Sequence, residues 1–371
     1  MKGELIFALF ILAFWLAVYI LGKILSLKRY GVEVKPLLLK YNSEGFKSLL
    51  YKFSSRWRRA WIFFSHISIL LGFGLMLFAI IFLSDNLIES LLPGGEGAVI
   101  TPIIPGLTLS LYWLPYFLIA VIVAVFTHEA AHGIIALIEG IDIKSAGALI
   151  LAIFFGGFVE IDEGKLNNLP QVSRMKIFSA GSSSNILGGL IVFLILSALF
   201  IQSPSGIVVL EVLDGGPLDA AGIRRWDVIY ALNGTIIRTY QDLVEFMSGI
   251  RPGDTLIVST SRGVFTIKTI PNPDNSERAI IGIVRPVLQY YPSRLGLSPF
   301  WNIQAYLTLN WLFLILVNVA VFNMLPIPLL DGDRFLQCLL ERIAGSDTLR
   351  KFLNILSLFL MAANIIVGMR P

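Results

Sequence analysis

Long apolar runs recur along this chain, and they constrain its fold more than any other feature of the sequence. A helix of ~20 apolar residues crosses the ~30 Å hydrocarbon core of a bilayer. Hydrophobic residues are 56% of the 371 and charged residues only 15%, proportions that exclude an ordinary soluble globular protein. We therefore predict a polytopic α-helical membrane protein with about six spans. These spans cover residues 5–25, 61–83, 112–138, 175–200, 303–325 and 352–367.

Two of the three histidines lie in the third span, in the sequence His128-Glu129-Ala130-Ala131-His132. Residues four apart share one face of an α-helix, so both imidazoles can point at one metal ion. Glu129 can then take a proton from water at that ion, as in H-E-x-x-H metallohydrolases. The alternatives are a coincidental match or two histidines that only hydrogen-bond between packed helices. Because ionisable side chains inside a membrane mark functional sites, we favour a metal site.

The remaining histidine and the single cysteine show no such pattern. His66 lies near a helix end without a spaced partner, so we interpret it as a packing or interfacial residue. Cys338 is alone, which excludes an internal disulfide framework and a cysteine-rich zinc site. Any metal must therefore be held by histidine and carboxylate side chains.

The distribution of charge predicts the orientation of the chain in the membrane. Residues 28–59 hold nine Lys or Arg against two Glu, whereas residues 84–111 contain acidic side chains and no Lys or Arg. Because cationic loops lie on the cytoplasmic side, we predict that both termini are outside and that the metal site lies towards the cytoplasm. We exclude nucleic acid as a partner, because the basic residues concentrate beside the spans and report orientation instead.

Two segments next to spans predict non-helical structure. Residues 145–161 are apolar but punctuated by glycine and rich in β-formers, so we predict a re-entrant β-hairpin covered by protein, with a buried loop as the alternative. Residues 318–333 end the fifth span with two prolines followed by Asp331-Gly332. The prolines break the helix and Gly332 frees the backbone, so Asp331 emerges on unwound chain at the depth of the histidines. It is the natural third ligand.

Residues 203–286 have the composition of a soluble domain. Strands are predicted at 206–212, 226–234, 255–259 and 264–269, with a helix at 240–250. This order of elements resembles a PDZ domain in its bacterial protease-associated form. Trp226 departs from the pattern, because it stands where a glycine usually precedes the aspartate. We predict an inserted PDZ-like α/β domain outside the membrane.

Taken together, these motifs resemble the site-2 protease family of intramembrane zinc metalloproteases, over residues from about 110 to 335. The motifs are His128-Glu129-Ala130-Ala131-His132, Ala180-Gly181 with Asn185, the PDZ-like insertion, and Asn323-Met324-Leu325-Pro326-Ile327-Pro328-Leu329-Leu330-Asp331-Gly332. The resemblance implies that His128, His132 and Asp331 bind Zn²⁺ and that Glu129 is the general base. It also implies that Asn185, Asn323 and Asn318 help to hold the substrate backbone.

Two departures from the family pattern leave questions open. Asp333 stands where the family usually has a second glycine after the metal aspartate, and its carboxylate is either an alternative ligand or a gate charge. Ser182 stands where proline often follows Ala-Gly, which leaves open how the fourth span bends near Asn185.

We therefore expect an intramembrane zinc metalloprotease whose substrates are single-span proteins of the same lipid bilayer. ZIP-type zinc transporters also carry H-E-x-x-H but generally have more histidines and lack a PDZ-like domain; a protease-derived scaffold that does not cleave is the third possibility. The predicted organisation is a two-span region over 1–109, catalytic parts over 110–202 and 287–371, and the PDZ-like domain over 203–286.

Overall fold

The computed structural model describes residues 2–25, 27–95, 97–106, 108–151, 154–284 and 287–369. The chain forms two compact units. The first comprises Met1–Leu190 with Trp311–Pro371, and the second comprises Ile191–Asn310.

Eleven α-helices occur in the described part of the chain, and five of them are long and apolar enough to cross a membrane. The helices are α1 (Lys2–Ile24), α2 (Glu44–Arg56), α3 (Arg58–Leu91), α4 (Leu114–Ile138), α5 (Glu163–Asn167), α6 (Gln171–Leu199), α7 (Pro217–Ala220), α8 (Tyr240–Ser248), α9 (Pro299–Asn323), α10 (Asp331–Leu340) and α11 (Ser346–Gly368). The five candidates are α3, α4, α6, α9 and α11, so the chain is a multi-pass membrane protein. In α1 the described apolar stretch is the shorter Leu12–Ile24, so a sixth span stays a prediction.

A four-stranded antiparallel sheet lies beside α4 in the first unit. It consists of β1 (Val32–Lys35), β2 (Leu38–Asn42), β3 (Ile143–Leu151) and β4 (Phe154–Ile161), in that order. The hairpin predicted over residues 145–161 therefore forms, although its turn at 152–153 lies outside the described residues. Residues 32–42, which we assigned only to a cationic loop, form two further strands that pair with it.

Helices α3 and α6 approach each other through small residues. Ser179 Oγ donates to Ser68 Oγ at 3.0 Å, and Ser183 Oγ donates to the Ser68 carbonyl oxygen at 3.1 Å. A Cβ at Gly72 would lie 2.7 Å from Ser179 Cβ. Small side chains let membrane helices pack closely, and these serines and this glycine do so between α3 and α6. Helix α6 runs unbroken past Ser182, and Ser182 is fully buried.

The described residues of the second unit form ten short strands around an apolar core of their own. They are β5 (Gly206–Val208), β6 (Glu211–Val212), β7 (Val228–Leu232), β8 (Thr235–Ile236), β9 (Thr255–Thr260), β10 (Gly263–Lys268), β11 (Ile270–Asn272), β12 (Asn275–Ile280), β13 (Ile283–Val284) and β14 (Leu288–Tyr290). The main sheet has the order β10-β9-β7-β5-β14. The single strand predicted at 206–212 is divided in two, because Val209 leaves the sheet to exchange backbone hydrogen bonds with Trp226 and Asp227.

Trp226 has a φ of +75°. This left-handed conformation is easy for glycine and costly for a residue with a Cβ. A left-handed backbone at this position explains why the usual PDZ pattern has glycine here. In this chain a tryptophan adopts that left-handed conformation. Residues 285–286, at the end of the predicted PDZ-like domain, lie outside the described residues.

Candidate metal centre

His128, His132 and Asp331 converge in the first unit. Asp331 Oδ2 lies 2.9 Å from His128 Nε2 and 3.0 Å from His132 Nε2, and the two Nε2 atoms are 3.1 Å apart. The histidines come from successive turns of α4, and Asp331 is the first residue of α10. Two imidazoles and one carboxylate with an open fourth position form the donor set of catalytic zinc sites. The structure therefore brings together the three predicted ligands as a group able to hold a metal ion.

The outer nitrogens of both imidazoles face partners that orient the rings. His132 Nδ1 donates to the carbonyl oxygen of Ile177 at 2.6 Å, which leaves Nε2 with its lone pair towards the site. On the other ring, His128 Nδ1 lies 3.5 Å from the side-chain amide of Asn185. That amide also contacts Thr127 Oγ1 at 2.9 Å.

The side-chain amide of Asn185 links Thr127 to His128. Asn185 Oδ1 accepts a hydrogen bond from Thr127 Oγ1, and Asn185 Nδ2 is the amide atom that lies nearest to His128 Nδ1. Thr127 Oγ1 also lies 2.8 Å from the Val123 carbonyl oxygen on its own helix. Asn185 therefore contacts the outer nitrogen of the His128 ring, while Nε2 of this ring faces Asp331.

The three asparagines of the predicted site occupy different places. Asn185 is fully buried behind His128, and Asn323 Nδ2 lies 3.3 Å from His128 Nε2. Asn318 lies on the same helix as Asn323, and its amide donates to the Leu314 carbonyl oxygen at 2.7 Å. The contact of Asn185 with His128 indicates that Asn185 orients this imidazole. That any of the three asparagines contacts substrate stays a prediction.

Glu129 lies beside the edge of β4. Its Oε2 accepts a hydrogen bond from the Val159 backbone N–H at 3.1 Å. A Cβ at Gly157 would lie 3.6 Å from Glu129 Cγ, so the backbone of β4 passes close to Glu129 at a residue that has no side chain. The carboxylate is held by the strand and is separate from the three-residue donor group.

Gly181 on α6 lies directly against the two imidazoles. A Cβ at this position would come closer than 3.0 Å to Nε2 of both His128 and His132. Those are the atoms that would face an ion, so the missing side chain keeps open the space next to the donors. The residues present therefore fit a zinc ion. The sequence motif includes Ala180-Gly181 but did not assign a role to Gly181. The signal for such a role was a glycine within a helix, where alanine is more stable.

Asp331 reaches the site by a different backbone route from the one predicted. The break between α9 and α10 covers residues 324–330, and Asp331 already belongs to the helix after it. The residue with positive φ is Leu329, at +82° and 98% exposed. Gly332 is not the flexible point, and its prediction as such was wrong. It is required because a Cβ there would collide with the carbonyl oxygens of Met324 and Leu325.

Asp333 does not belong to the metal-ligand group, and its carboxylate forms an ion pair with Arg350 instead. Arg350 on α11 donates to its two carboxylate oxygens at 2.8 and 2.7 Å, and Asn354 donates at 2.9 Å. Burial alone raises the pKa of Asp333, but these hydrogen bonds and the nearby cations outweigh burial and hold it below its ordinary value. The pair therefore stabilises the fold at neutral pH, and this contribution is lost as pH falls through the pKa of the folded state. It ties α10, which begins with Asp331, to α11.

The other residues singled out in the sequence have local roles. His66 Nδ1 donates to the carbonyl oxygen of Ile62 on its own helix at 2.8 Å. Cys338 is buried in the core of the first unit. Neither belongs to the group that can hold a metal ion.

Comparison with known proteins identifies the family. A model of peptidase family M50 matches residues 116–367. An uncharacterized protein of Methanocaldococcus jannaschii is 30% identical over 328 residues, which cover 86% of this chain and 80% of that protein. A membrane-bound transcription factor site-2 protease homolog of Arabidopsis thaliana is 29% identical over 147 residues, 38% of this chain and 28% of that protein. The zinc metalloprotease RasP of Geobacillus kaustophilus is 23% identical over 222 residues, 48% of this chain and 52% of that protein.

The family match covers more than half of the chain and includes both histidines of α4 and the break before Asp331. The chain therefore belongs to peptidase family M50, the family of the site-2 zinc metalloproteases.

Proposed function

We propose that this protein hydrolyses peptide bonds within the membrane-spanning segments of single-span proteins. The observation that carries the proposal is the position of His128, Glu129 and His132 on α4, a helix long and apolar enough to cross a membrane. A metal-ligand group at this position reaches peptide bonds that lie at membrane depth, where soluble proteases have no access.

The division of roles follows from the contacts. Zinc, when bound by His128, His132 and Asp331, supplies a Lewis acid that polarises a carbonyl oxygen and acidifies water. Glu129 accepts the proton of the attacking water and returns it to the amine that leaves. The Val159 N–H fixes Glu129 Oε2, and the carbonyl oxygen of Ile177 and the amide of Asn185 fix the two imidazole rings.

A substrate helix must unwind before its peptide bonds are accessible, because its carbonyl groups are held in i to i+4 hydrogen bonds. The edge of β4 offers these groups new partners. β3 is paired on both sides, by β2 and β4, whereas the described strands leave one edge of β4 unpaired. The Val159 N–H points to Glu129, so by alternation the backbone groups of Gly157 and Phe155 also face this edge. An extended substrate segment added here would pass beside Glu129.

The orientation in the membrane is part of the proposal. Because cationic loops favour the cytoplasmic side, we assign residues 28–59 to the cytoplasm. If successive spans cross the membrane in alternating directions, the C-terminal ends of α4 and α9 then lie on the same side. Cleavage in the cytoplasmic half of the substrate span would release a soluble fragment inward.

Removal of the metal is the direct test. Purified protein in liposomes should cleave a single-span substrate, lose that activity with a zinc chelator, and regain it with zinc but not with magnesium, which prefers oxygen ligands. Mass spectrometry should place the cut inside the membrane-spanning segment of the substrate. Chelator-resistant cleavage, or cuts only outside that segment, would contradict the proposal.

We also propose that residues 203–286 form a PDZ-like domain that filters substrates outside the membrane. The proposal is supported by the order of strands and helices in this region and by the left-handed Trp226 at the usual glycine position. Replacing residues 203–286 with a flexible linker should widen the range of substrates cleaved and leave zinc content unchanged. A panel of substrates with small and bulky ectodomains measures this range. The filter hypothesis fails if the shortened protein is folded, active and equally selective.

A further inference from the structure

Helix α2 presents different chemistry on three faces. One face is buried: Leu50 is only 2% exposed and packs in a cluster with Ile134 and Ile143. Ser43 caps the helix by accepting a hydrogen bond from the Phe46 N–H at 3.1 Å. The helix is therefore a fixed element of the first unit.

A second face is apolar and exposed. Leu49, Phe53 and Trp57 follow one another at intervals of four residues, and their exposed fractions are 46%, 45% and 58%. With ~100° between successive helical residues, the three side chains form one stripe next to the buried face. Exposed apolar stripes of this kind on a cationic helix are typical of helices that lie in a membrane interface.

A third face of α2 is cationic, and its positive charge continues into the start of α3. Lys52 and Arg56 lie on α2, and Arg58 and Arg59 begin α3. We call these four residues the cationic cluster. All four are exposed, and none forms an ion pair with any residue that the structure describes. The first turn of α3 contains no acidic residue, so its peptide dipoles add to the positive potential.

The position of α2 along the chain indicates what covers these faces. Only Trp57 separates α2 from α3, and α3 is one of the helices long enough to cross the membrane. Helix α2 therefore ends where a membrane span begins, with its apolar stripe and its cations at that level. A bilayer surface offers acyl chains to the stripe and phosphate groups to the cations.

We infer that α2 and the adjoining Trp57 lie in the membrane interface, where Leu49, Phe53 and Trp57 insert into the bilayer surface and the cationic cluster binds anionic phospholipid headgroups. Each cation near an anionic surface contributes about fivefold in affinity. The inference does not depend on the proposed protease activity, because lipid binding can be measured without cleavage.

The bound lipid would act close to the metal-ligand group. The rings of Phe46 on α2 and Phe126 on α4 are 5.4 Å apart in an edge-to-face arrangement. A Cβ at Gly133 would lie 3.3 Å from Leu50 Cδ1. These two contacts enclose the segment of α4 that carries both histidines, so anionic lipid that anchors α2 also supports the helix of the site.

The test measures which lipid surrounds α2. The full chain with Leu49→Cys and Cys338→Ala, labelled with an environment-sensitive fluorophore, is placed in nanodiscs that contain either brominated phosphatidylglycerol or brominated phosphatidylcholine as the quencher. We expect several-fold stronger quenching by the anionic lipid at low salt, and a smaller difference at high salt because exposed charges are screened. Replacing the cationic cluster with Gln should bring the ratio of the two quenching constants close to one.

A matched variant controls for the loss of four charges. Arg238, Arg251, Lys268 and Arg278 are exposed cations of the second unit, and replacing them with Gln should leave the quenching ratio unchanged. If the fourfold variant of the cationic cluster does not fold, Lys52→Gln with Arg56→Gln should lower the ratio by a smaller amount. A ratio near one in the unaltered cluster, or an equal decrease in the control, overturns the inference. Shielding of the fluorophore by soluble polyglutamate without any lipid preference overturns it too, and would assign the surface to an acidic polypeptide.

Discussion

Glu129→Gln should retain zinc and lower the rate of peptide hydrolysis by at least ~10²-fold, the lower end of the contribution of a positioned general acid or base. The substitution preserves the shape of the side chain, and its amide oxygen can still accept the Val159 N–H that Glu129 Oε2 accepts now at 3.1 Å. The docking of β4 against α4 should therefore survive. What is lost is the ability to take a proton from water, because an amide is not a base at neutral pH.

Glu160→Gln is the matched control for this loss of charge. Glu160 lies on β4 next to Val159, but its carboxylate accepts hydrogen bonds from Ser145 and Lys40 instead of facing α4. The hydrogen bond from Ser145 and then that from Lys40 hold the pKa of Glu160 below its ordinary value, so this side chain is charged at neutral pH. We expect Glu160→Gln to keep most of the hydrolysis rate. Substantial activity in Glu129→Gln with bound zinc would remove Glu129 from the proposed mechanism.

The metal-ligand group was predictable because its information is local. Two histidines four residues apart need only one helix to meet, and a proline-broken span needs only its own sequence to place a carboxylate near its end. The structure brings the three predicted ligands to within 3.1 Å of one another. In contrast, the partner of Asp333 is Arg350, which lies across a helix boundary, and the pairing of these two residues depends on how α10 and α11 pack.

The strands β1 and β2 show a different reason for failure. Val32-Glu33-Val34-Lys35 alternates apolar and charged residues, which is the pattern of a strand with one covered face. Glu33 and Lys35 lie within residues 28–59, whose charge was used to predict the orientation in the membrane. Because this segment was interpreted only as a cationic loop, the strand pattern was missed. The strands are stable because β3 already offers an edge: Tyr41 pairs with Ala148, and Leu39 pairs with Ile150. A non-local partner therefore decided the structure of a short segment.

The structure also separates the two kinds of glycine near the site. Gly332 is required by close approach of backbone, and Gly181 by close approach of the imidazoles. Neither has a positive φ, so neither is needed for a special backbone conformation. Sequence alone gives no means to distinguish these cases, because the atoms that exclude a Cβ come from other elements.

Gly181→Ala should therefore prevent zinc binding while the protein remains folded. The added Cβ would come closer than 3.0 Å to Nε2 of His128 and His132, so both donor atoms must move away from the position that an ion requires. Within a helix, alanine is more favourable than glycine by about 1 kcal/mol, so α6 itself gains stability. The expected result is a protein that still unfolds cooperatively in detergent, with zinc content reduced to background and hydrolysis lost.

Gly188→Ala provides the matched control on the same helix. A Cβ at Gly188 would lie 3.5 Å from Leu316 Cδ1, an ordinary van der Waals contact, and it gives the same gain in helix propensity. Zinc per chain, measured by mass spectrometry after dialysis against a weak chelator, should remain at one for Gly188→Ala and fall to near zero for Gly181→Ala. Full zinc content in a folded Gly181→Ala protein would show that the ion does not occupy the space beside the two Nε2 atoms, and the donor assignment of His128 and His132 would then be wrong.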